Sequence, residues 1–174
     1  KMKYGNHPEV GSRLAIMAAE QLSKEGFFEG IDAIVPLPLS KKKKRQRGYN
    51  QCDYIAEGLS HITGIPVVKE CVVRTKANES QTHKTRDERW KNAEGIFSLV
   101  KPEAITGKHI LLIDDILTTG ATLTNCATAI QQHCNCKISI FTLAYTYNKT
   151  IGEEDIYERW ILLLFTCLFR KGKI

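Results

Sequence analysis

The apolar residues of this chain recur at helical spacing in three separate segments. The first set, ahead of a stop signal at Gly26, comprises Val10, Leu14, Met17, Ala18 and Leu22. The second set, closed by Gly64 and Pro66, comprises Cys52, Ile55, Ala56, Leu59 and Ile62. The third set comprises Leu123, Cys126, Ala127 and Ile130. Spacings of three and four residues predict a helix with one apolar face in each segment, and we expect that face to be buried.

Short apolar runs between these helices predict strands. Residues 31–35 form one run, which ends at Pro36 because proline cannot continue a central ladder. Residues 110–113 form a second run, of the kind typical of a buried parallel strand. The segment 67–73 also looks extended, and 137–144 alternates as a strand does. The order strand, helix, strand around the third helix predicts a right-handed βαβ unit.

Length and composition place the chain among ordinary globular proteins. Its 174 residues are enough for one domain, with 43% hydrophobic and 25% charged residues. The opening residues lack the basic-then-apolar pattern of a signal peptide, and no apolar run reaches the length of a membrane span. We therefore expect a cytoplasmic protein with no membrane partner.

The six cysteines show no C-x-x-C pair and no regular spacing. In a cytosolic chain we expect such cysteines to be reduced and buried rather than bridged. Only the His-Cys-Asn-Cys sequence at 133–136 suggests a metal, and three ligands within four residues fit a tetrahedral site poorly. No structural metal site is predicted.

Positive charge is concentrated in two parts of the chain. The net charge is +6, and 41–47 holds six cations within seven positions. Such a run is compatible with a solvated loop, a nucleic-acid-binding surface or an attractor for a polyanion such as pyrophosphate. It follows the strand over 31–35, and this position at a strand's carboxyl end favours contact with a ligand. Cations also flank the polar segment 75–85, which suits a lid over a pyrophosphate.

The clearest chemistry follows the strand over 110–113. Asp114 and Asp115 come directly after it, and a small, hydroxyl-rich turn occupies 118–122. The next helix begins at this turn, so unpaired N–H groups, Gly120 and threonine hydroxyls are available to a phosphate. The loop has neither the P-loop ending nor the G-x-G-x-x-G signature, which disfavours those nucleotide sites. We predict a phosphate site, with an acidic pair placed to hold ribose hydroxyls.

The segment 111–123 resembles the thirteen-residue phosphoribosyl pyrophosphate (PRPP) motif of the type I phosphoribosyltransferases. The resemblance implies that Asp114 and Asp115 contact the ribose 2′ and 3′ hydroxyls. It also implies a 5′-phosphate site formed by Thr118, Thr119, Gly120, Ala121 and Thr122.

Further short matches resemble one branch of these families, the competence protein ComF (GntX) family. In chain order they are 35–38, 47–51, Arg74 with Gln81, 86–89, Asn92, Gly95, Phe97 and the PRPP motif. They extend from residue 34 to about residue 144. The resemblance implies an α/β, type I phosphoribosyltransferase fold, in which a central, mainly parallel sheet is flanked by helices and carries a small hood.

Two features depart from the family pattern. Members often carry a four-cysteine zinc ribbon ahead of the transferase domain, and none precedes it here; Lys1 ahead of Met2 fits a start inside a longer chain. We assign 1–147 to the phosphoribosyltransferase-like domain and 148–174 to a C-terminal tail of unknown role. The almost wholly apolar run 160–169 is too short for a membrane helix, so we expect it to pack on the domain or on a second subunit of a homodimer.

The reaction that the resemblance implies is displacement of pyrophosphate from C1 of PRPP by a nitrogen nucleophile. Asp114, Asp115 and Thr118 are the candidate catalytic residues; PRPP itself would carry Mg²⁺, with the two aspartates as its candidate protein ligands. The candidates for pyrophosphate contact are Lys41, Arg45, Arg47, Arg74, Arg86 and Arg89. Thr118 occupies the position that many phosphoribosyltransferases give to a general base, and threonine is a poor base at neutral pH. This favours an amine nucleophile such as ammonia, or no catalysis.

A non-catalytic module is the alternative of a different class. The ComF resemblance implies a role in natural competence, with single-stranded DNA and a helicase-like translocase as partners. The basic run 41–47 would then contact the DNA backbone, although only Tyr49 and Tyr54 lie near it to stack on bases. Regulation by PRPP or a ribose 5-phosphate ligand without turnover would use the same pocket. Activity, acceptor and oligomeric state stay open at this point.

Overall fold

Three parallel strands form the centre of the fold in the computed structural model, which describes residues 8–75 and 96–146. They are β1 (Ala33–Pro36), β4 (His109–Leu117) and β5 (Lys137–Tyr145), in the order β1-β4-β5. Residues 110–113 have no solvent exposure, because the middle strand is covered on both faces. The predicted strands over 31–35, 110–113 and 137–144 are thus confirmed in type and in parallel pairing.

Helices flank this sheet. They are α1 (Glu9–Ser23), α2 (Lys41–Arg47), α3 (Gln51–Thr63) and α4 (Ala121–Gln131). Helix α3 packs on β1 and β4, α1 packs on α3, and α4 contacts β4. The predicted buried faces of the second and third helices are confirmed, with Ile55, Leu59 and Ile130 free of exposure and only Ile62 of the predicted set partly buried.

A second, antiparallel sheet of two strands lies apart from the first. Its strands are β2 (Val72–Arg74) and β3 (Phe97–Leu99), and their register places Arg74 opposite Phe97. Helix α4 packs against β3, so the small sheet is tied to the main domain close to the carboxyl end of β4. The polar segment predicted as a lid, with Arg86 and Arg89, lies almost wholly outside the described residues, as does the tail over 148–174.

The predicted buried face of α1 is wrong for three of its five residues. Val10, Leu14 and Met17 are 40%, 44% and 65% exposed. The buried residues of the helix are Gly11, Ala15, Ala18, Ala19 and Leu22. The reason lies in the partner helix: a Cβ atom on Gly58 would lie 2.6 Å from the Ser12 carbonyl oxygen, so the two backbones approach closely and only small side chains fit between them.

Two further boundaries differ from the sequence-based expectation. Strand β4 does not end at residue 113 but continues through the acidic pair to Leu117, because β5 keeps pairing with it and matches Asp114 with Thr142. The basic run is a short helix, α2, capped by Ser40, whose side-chain oxygen accepts from the Lys43 N–H. Its end is a left-handed Gly48 at φ 78°, a conformation that glycine adopts without strain.

Within the described residues no helix combines the length and the apolar character needed to cross a membrane. The five cysteines of these residues are free thiols, three of them buried. The sixth, Cys167, lies outside the described residues.

Candidate functional site

One pocket lies where the carboxyl ends of β1 and β4 meet the beginnings of α3 and α4, the position that parallel α/β sheets generally use for ligands. Its polar lining combines carboxylates, cations, an amide and hydroxyl groups. These residues are Asp114, Asp115, Lys43, Arg47, Arg74, Gln51, Thr118 and Thr122. The remaining lining is Leu37, Pro38, Leu39, Cys52, Ile116, Leu117, Gly120 and Leu123.

The acidic pair is held in a defined orientation. The Asp115 side chain is 4% exposed, and its Oδ2 accepts a 2.9 Å hydrogen bond from Gln51 Nε2. The Asp115 backbone N–H donates to Asp114 Oδ1 at 2.8 Å. A buried carboxylate that accepts such bonds is oriented before any ligand arrives, which lowers the entropic cost of binding.

The beginning of α3 is anchored to the loop after β1 by Asn50. Its Oδ1 accepts from the Cys52 N–H at 3.3 Å and caps the helix, while its Nδ2 donates to the Leu37 carbonyl oxygen at 3.1 Å. The segment 47–51 therefore has a structural explanation. Gly48 ends α2, Asn50 caps α3, and Gln51 reaches the acidic pair.

The phosphate turn lies directly beside the acidic pair. Gly120 has φ 75° and precedes α4, a helix of eleven residues whose first N–H groups point toward the turn. Thr118, Gly120 and Thr122 line the pocket, while Thr119 and Ala121 do not. Thr119 Oγ1 instead accepts from the Ala121 N–H at 3.4 Å, which stabilises the turn itself.

Three cations line the pocket. Lys43 and Arg47 are one helical turn apart on α2 and so share a face. Arg74 comes from β2, and its guanidinium carbon lies 5.5 Å from the centre of the Phe97 ring, a cation–π contact with β3 that supports the side chain. Of the other candidates, Lys41 lines a neighbouring cavity together with Arg74, and Arg45 lines neither cavity.

Burial shapes the protonation of two pocket residues. It raises the pKa of the Cys52 thiol well above its ordinary value, and the nearby carboxylates of Asp114 and Asp115 raise it further. Cys52 is therefore a neutral thiol, and its Sγ lies 3.8 Å from Asp114 Oδ1. Burial also lowers the pKa of the Arg74 guanidinium, while attraction to Asp114 acts in the opposite direction.

Two buried side-chain atoms in residues 8–75 and 96–146 have no hydrogen-bond partner there, Gln51 Oε1 and Arg74 Nε. Both belong to residues that line this pocket. Unsatisfied buried polar atoms are costly and concentrate at functional sites, so this coincidence marks the pocket as a place built to bind something.

Sequence reasoning did not name Gln51 as a site residue, and Lys43 was included only as part of the basic run. No local signal distinguishes Gln51, because its partner Asp115 is 64 positions away in the chain. Lys43 and Arg47 differ from the other cations of the run only in lying on the face of α2 that lines the pocket. The sequence did not predict this helix, so it could not show which cations share that face.

No group of three or more histidine, cysteine or acidic side chains in the described parts of the chain is arranged to hold a metal ion. The pocket nevertheless offers two adjacent carboxylates, the oxygen ligands that Mg²⁺ prefers when a substrate phosphate supplies the rest. A magnesium ion carried by a phosphorylated ligand thus fits the residues present.

Comparison with known proteins agrees with this geometry. Residues 53–164 match the phosphoribosyl transferase domain. The chain is 28% identical over 148 residues to the DNA utilization protein YhgH of Salmonella typhi, which covers 79% of this chain and 64% of that protein. It is 40% identical over 90 residues to the competence protein ComFC of Bacillus subtilis, which covers 52% of this chain and 34% of that protein. The chain thus spans about two thirds or less of the length of these relatives.

The fold has counterparts among solved structures. A hypothetical protein from Neisseria gonorrhoeae with bound ppGpp superposes with a TM-score of 0.51 at 15% identity, covering 82% of this chain and 71% of that one. At this identity the likeness concerns the fold alone. Together with the match over 53–164 and the competence-protein relatives, it leads to one conclusion: the chain belongs to the phosphoribosyl transferase domain family, in its ComF branch, and has a type I phosphoribosyltransferase fold.

Proposed function

We propose that the pocket binds PRPP together with Mg²⁺, and that the reaction it supports best is transfer of the phosphoribosyl group to an amine nucleophile. One observation carries the proposal. An oriented acidic pair, a phosphate turn at a helix beginning and three cations share a single pocket at the carboxyl end of β4. PRPP presents a diol, a 5′-phosphate and a pyrophosphate, and each has a chemically matched surface here.

The three surfaces divide the ligand between them. Asp114 and Asp115 accept hydrogen bonds from the ribose hydroxyls, as oriented carboxylates do. The N–H groups at the beginning of α4 and the hydroxyls of Thr118 and Thr122 hold the 5′-phosphate. Lys43, Arg47 and Arg74 face the pyrophosphate.

In the transfer step the bond from C1 to the pyrophosphate oxygen breaks and a bond from the amine nitrogen to C1 forms. Pyrophosphate leaves with the bonding electrons, and the amine loses a proton to water. When bound, Mg²⁺ neutralises charge that develops on the leaving pyrophosphate. The cations of α2 and β2 do the same from the protein side. Thr118 is not needed as a base, because a free amine is already a nucleophile.

Isothermal titration of the purified chain with PRPP and Mg²⁺ tests the binding step. The test variant carries Asp114→Asn and Asp115→Asn, which keep the shape of the side chains and remove both charges. The matched control carries Glu20→Gln and Glu103→Gln, two exposed carboxylates that do not line the pocket. We expect saturable binding to the wild type and to the control, and a loss of at least tenfold in the test variant.

Failure of the folded wild type to bind millimolar PRPP with Mg²⁺ would overturn the proposal. If binding is found, pyrophosphate release measured with ammonia and a set of amines tests the transfer step. If PRPP binds but no amine releases pyrophosphate, the transfer step is refuted and the pocket is a PRPP-binding site without turnover.

A second candidate function is binding of single-stranded DNA without catalysis. Helix α2 has no buried residue. Its Lys44 and Arg45 are exposed and line neither cavity, so their charges are available to a partner other than the pocket ligand. The competence-protein relatives favour the same possibility. Fluorescence anisotropy with labelled oligothymidine at two salt concentrations tests this function. The measurement compares the double variant Lys44→Gln plus Arg45→Gln with the variant that carries Asp114→Asn and Asp115→Asn. Weaker binding only in the former would support DNA contact by α2, and equal binding by both would refute it.

A further inference from the structure

Gln51 occupies an unusual position for a glutamine. It is the first residue of α3, only 3% of its surface is exposed, and it lines the pocket. Its Nε2 donates to Asp115 Oδ2 at 2.9 Å, and Asp115 is itself 4% exposed. A neutral amide is thus buried directly against one member of the acidic pair.

The orientation of the amide follows from this contact. An ionised carboxylate can only accept hydrogen bonds, so the NH₂ end of Gln51 must face Asp115 and the carbonyl end must point elsewhere. Within residues 8–75 and 96–146, Oε1 has no hydrogen-bond partner although it is buried. A buried carbonyl oxygen without a donor is costly, so a role in binding is the physical reason to keep it.

We propose that Gln51 is a positioning and specificity residue for the sugar of the ligand, an inference that rests on the proposed function. Its amide N–H group holds Asp115 in place, and its Oε1 accepts a hydrogen bond from a ribose hydroxyl. Gln51 and Asp115 then form a patch of acceptors that selects hydroxyl donors and rejects phosphate oxygens. This patch places the ribose between the phosphate turn at the beginning of α4 and the cations of α2 and β2 that face the pyrophosphate.

A thermodynamic cycle tests this role. The probes are ribose 5-phosphate and its 2-deoxy and 3-deoxy analogues, titrated into the wild type and into Gln51→Met, which has a similar shape but no acceptor. The control is Gln21→Met, at an exposed glutamine of α1 that does not line the pocket. We expect wild type and control to lose about tenfold in affinity when the hydroxyl that contacts Gln51 is missing. In Gln51→Met that loss should shrink to about twofold for one of the two analogues.

A second variant keeps the test decisive if Gln51→Met folds poorly. Gln51→Glu places a carboxyl group against Asp115, and only its protonated form can donate to that carboxylate. Ribose 5-phosphate binding by Gln51→Glu should therefore strengthen at least fivefold from pH 8 to pH 5.5, relative to wild type at the same pH. Altered packing alone would not produce this profile.

The outcomes separate this inference from the proposed function. Wild type that binds neither PRPP nor ribose 5-phosphate refutes the proposed function and this inference with it. Wild type that binds them, with the same deoxy-analogue losses in Gln51→Met and no pH effect in Gln51→Glu, refutes only the role of Gln51.

Discussion

Asn50 connects two parts of the pocket through one side chain. Its amide caps α3 by accepting from the Cys52 N–H and donates to the Leu37 carbonyl oxygen in the loop after β1. Because Asn50 is buried, Asn50→Ala leaves both a helix N–H and a carbonyl oxygen without partners. We expect a loss of about 2 kcal/mol in the free energy of unfolding, measured by urea denaturation.

The matched variant Asn50→Ser separates the two roles of this side chain. Serine still caps a helix but cannot reach the Leu37 carbonyl oxygen. It should recover the part of the lost stability that comes from capping, and not the part that comes from the Leu37 contact. Equal stability of Asn50→Ala and wild type would contradict the bridging role.

The buried thiols predict a specific loss of stability in alkali. Burial raises the pKa of Cys126, which has no solvent exposure, and that of Cys52. Below about pH 8.5 a thiol is neutral in both states. Above that pH the unfolded chain releases the proton while the folded chain keeps it, so ionisation favours unfolding. The free energy of unfolding should fall by roughly 1 kcal/mol per pH unit for each such thiol.

Urea denaturation under reducing conditions at pH 8.0, 8.75 and 9.5 measures this slope. Cys126→Ala should be less stable at every pH, because it leaves a cavity, and should also have a shallower slope than the wild type. An unchanged slope would mean that Cys126 ionises as readily in the folded state as in the unfolded one.

At the scale of single residues, the sequence was informative where a local pattern carries the chemistry. Asp114 and Asp115 follow an apolar run and precede a turn of small residues, and the structure brings both carboxylates into one pocket with Thr118, Gly120 and Thr122 of that turn. Gln51 was not found because its role depends on a contact with Asp115 across the fold. No spacing within 47–51 indicates which carboxylate its amide will meet.

Two elements, α1 and α3, pack so closely that one glycine is essential. A Cβ atom on Gly58 would lie 2.6 Å from the Ser12 carbonyl oxygen and 3.0 Å from the Ala15 Cβ. Alanine favours a helix over glycine by about 1 kcal/mol, but overpacking costs roughly 1–3 kcal/mol, and here the clash is with backbone. Gly58→Ala should therefore destabilise the protein.

The thermal midpoint of Gly58→Ala, compared with that of wild type, measures the balance. His61→Ala, at an exposed position on the same helix, is the matched control and should leave the midpoint nearly unchanged. A midpoint of Gly58→Ala at or above wild type would show that α1 can shift outward without cost.

The same contact explains why the buried face of α1 could not be predicted. Its sequence offers two faces, one with large apolar residues and one with glycine and alanine. Periodicity favours the larger residues, and Val10, Leu14 and Met17 are in fact exposed. Which face is buried depends on Gly58, far along the chain, and that dependence has no local signature.

The position of each lysine on helix α2 predicts how strongly it contributes to pyrophosphate binding. Lys43 lines the pocket, whereas Lys44, the next residue, does not. Lys43→Gln should weaken binding of inorganic pyrophosphate about fivefold, because it removes a charge at the site, and Lys44→Gln should change it less than twofold. Titration at fixed ionic strength makes the comparison. Equal losses in both variants would indicate attraction by net charge rather than contact.

At the scale of the whole molecule, the pocket is assembled from segments that are distant in sequence. The end of β1, the beginning of α3, the end of β4 and the arginine of β2 all contribute. The ends of β1 and β4 could be expected together from the sequence, because parallel strands bring their carboxyl ends to one edge of a sheet. Arg74 reaches the pocket because β2 pairs with β3. The sequence between these two strands has no apolar periodicity that would predict their pairing.

Because the pocket is built from β1, α3, β4 and β2, ligand binding should stabilise the entire fold. A ligand that binds only the folded state adds about 2.7 kcal/mol at a concentration one hundred times its Kd, which raises the midpoint of a domain of this size by about 5–10 °C. PRPP with Mg²⁺ should produce such a shift in the wild type. The variant carrying Asp114→Asn and Asp115→Asn should show little of it, although a phosphate could still contact the turn. Sulfate at the same ionic strength is the control for general anion binding, and an equal shift with sulfate would mean that the pocket recognises charge and not the sugar.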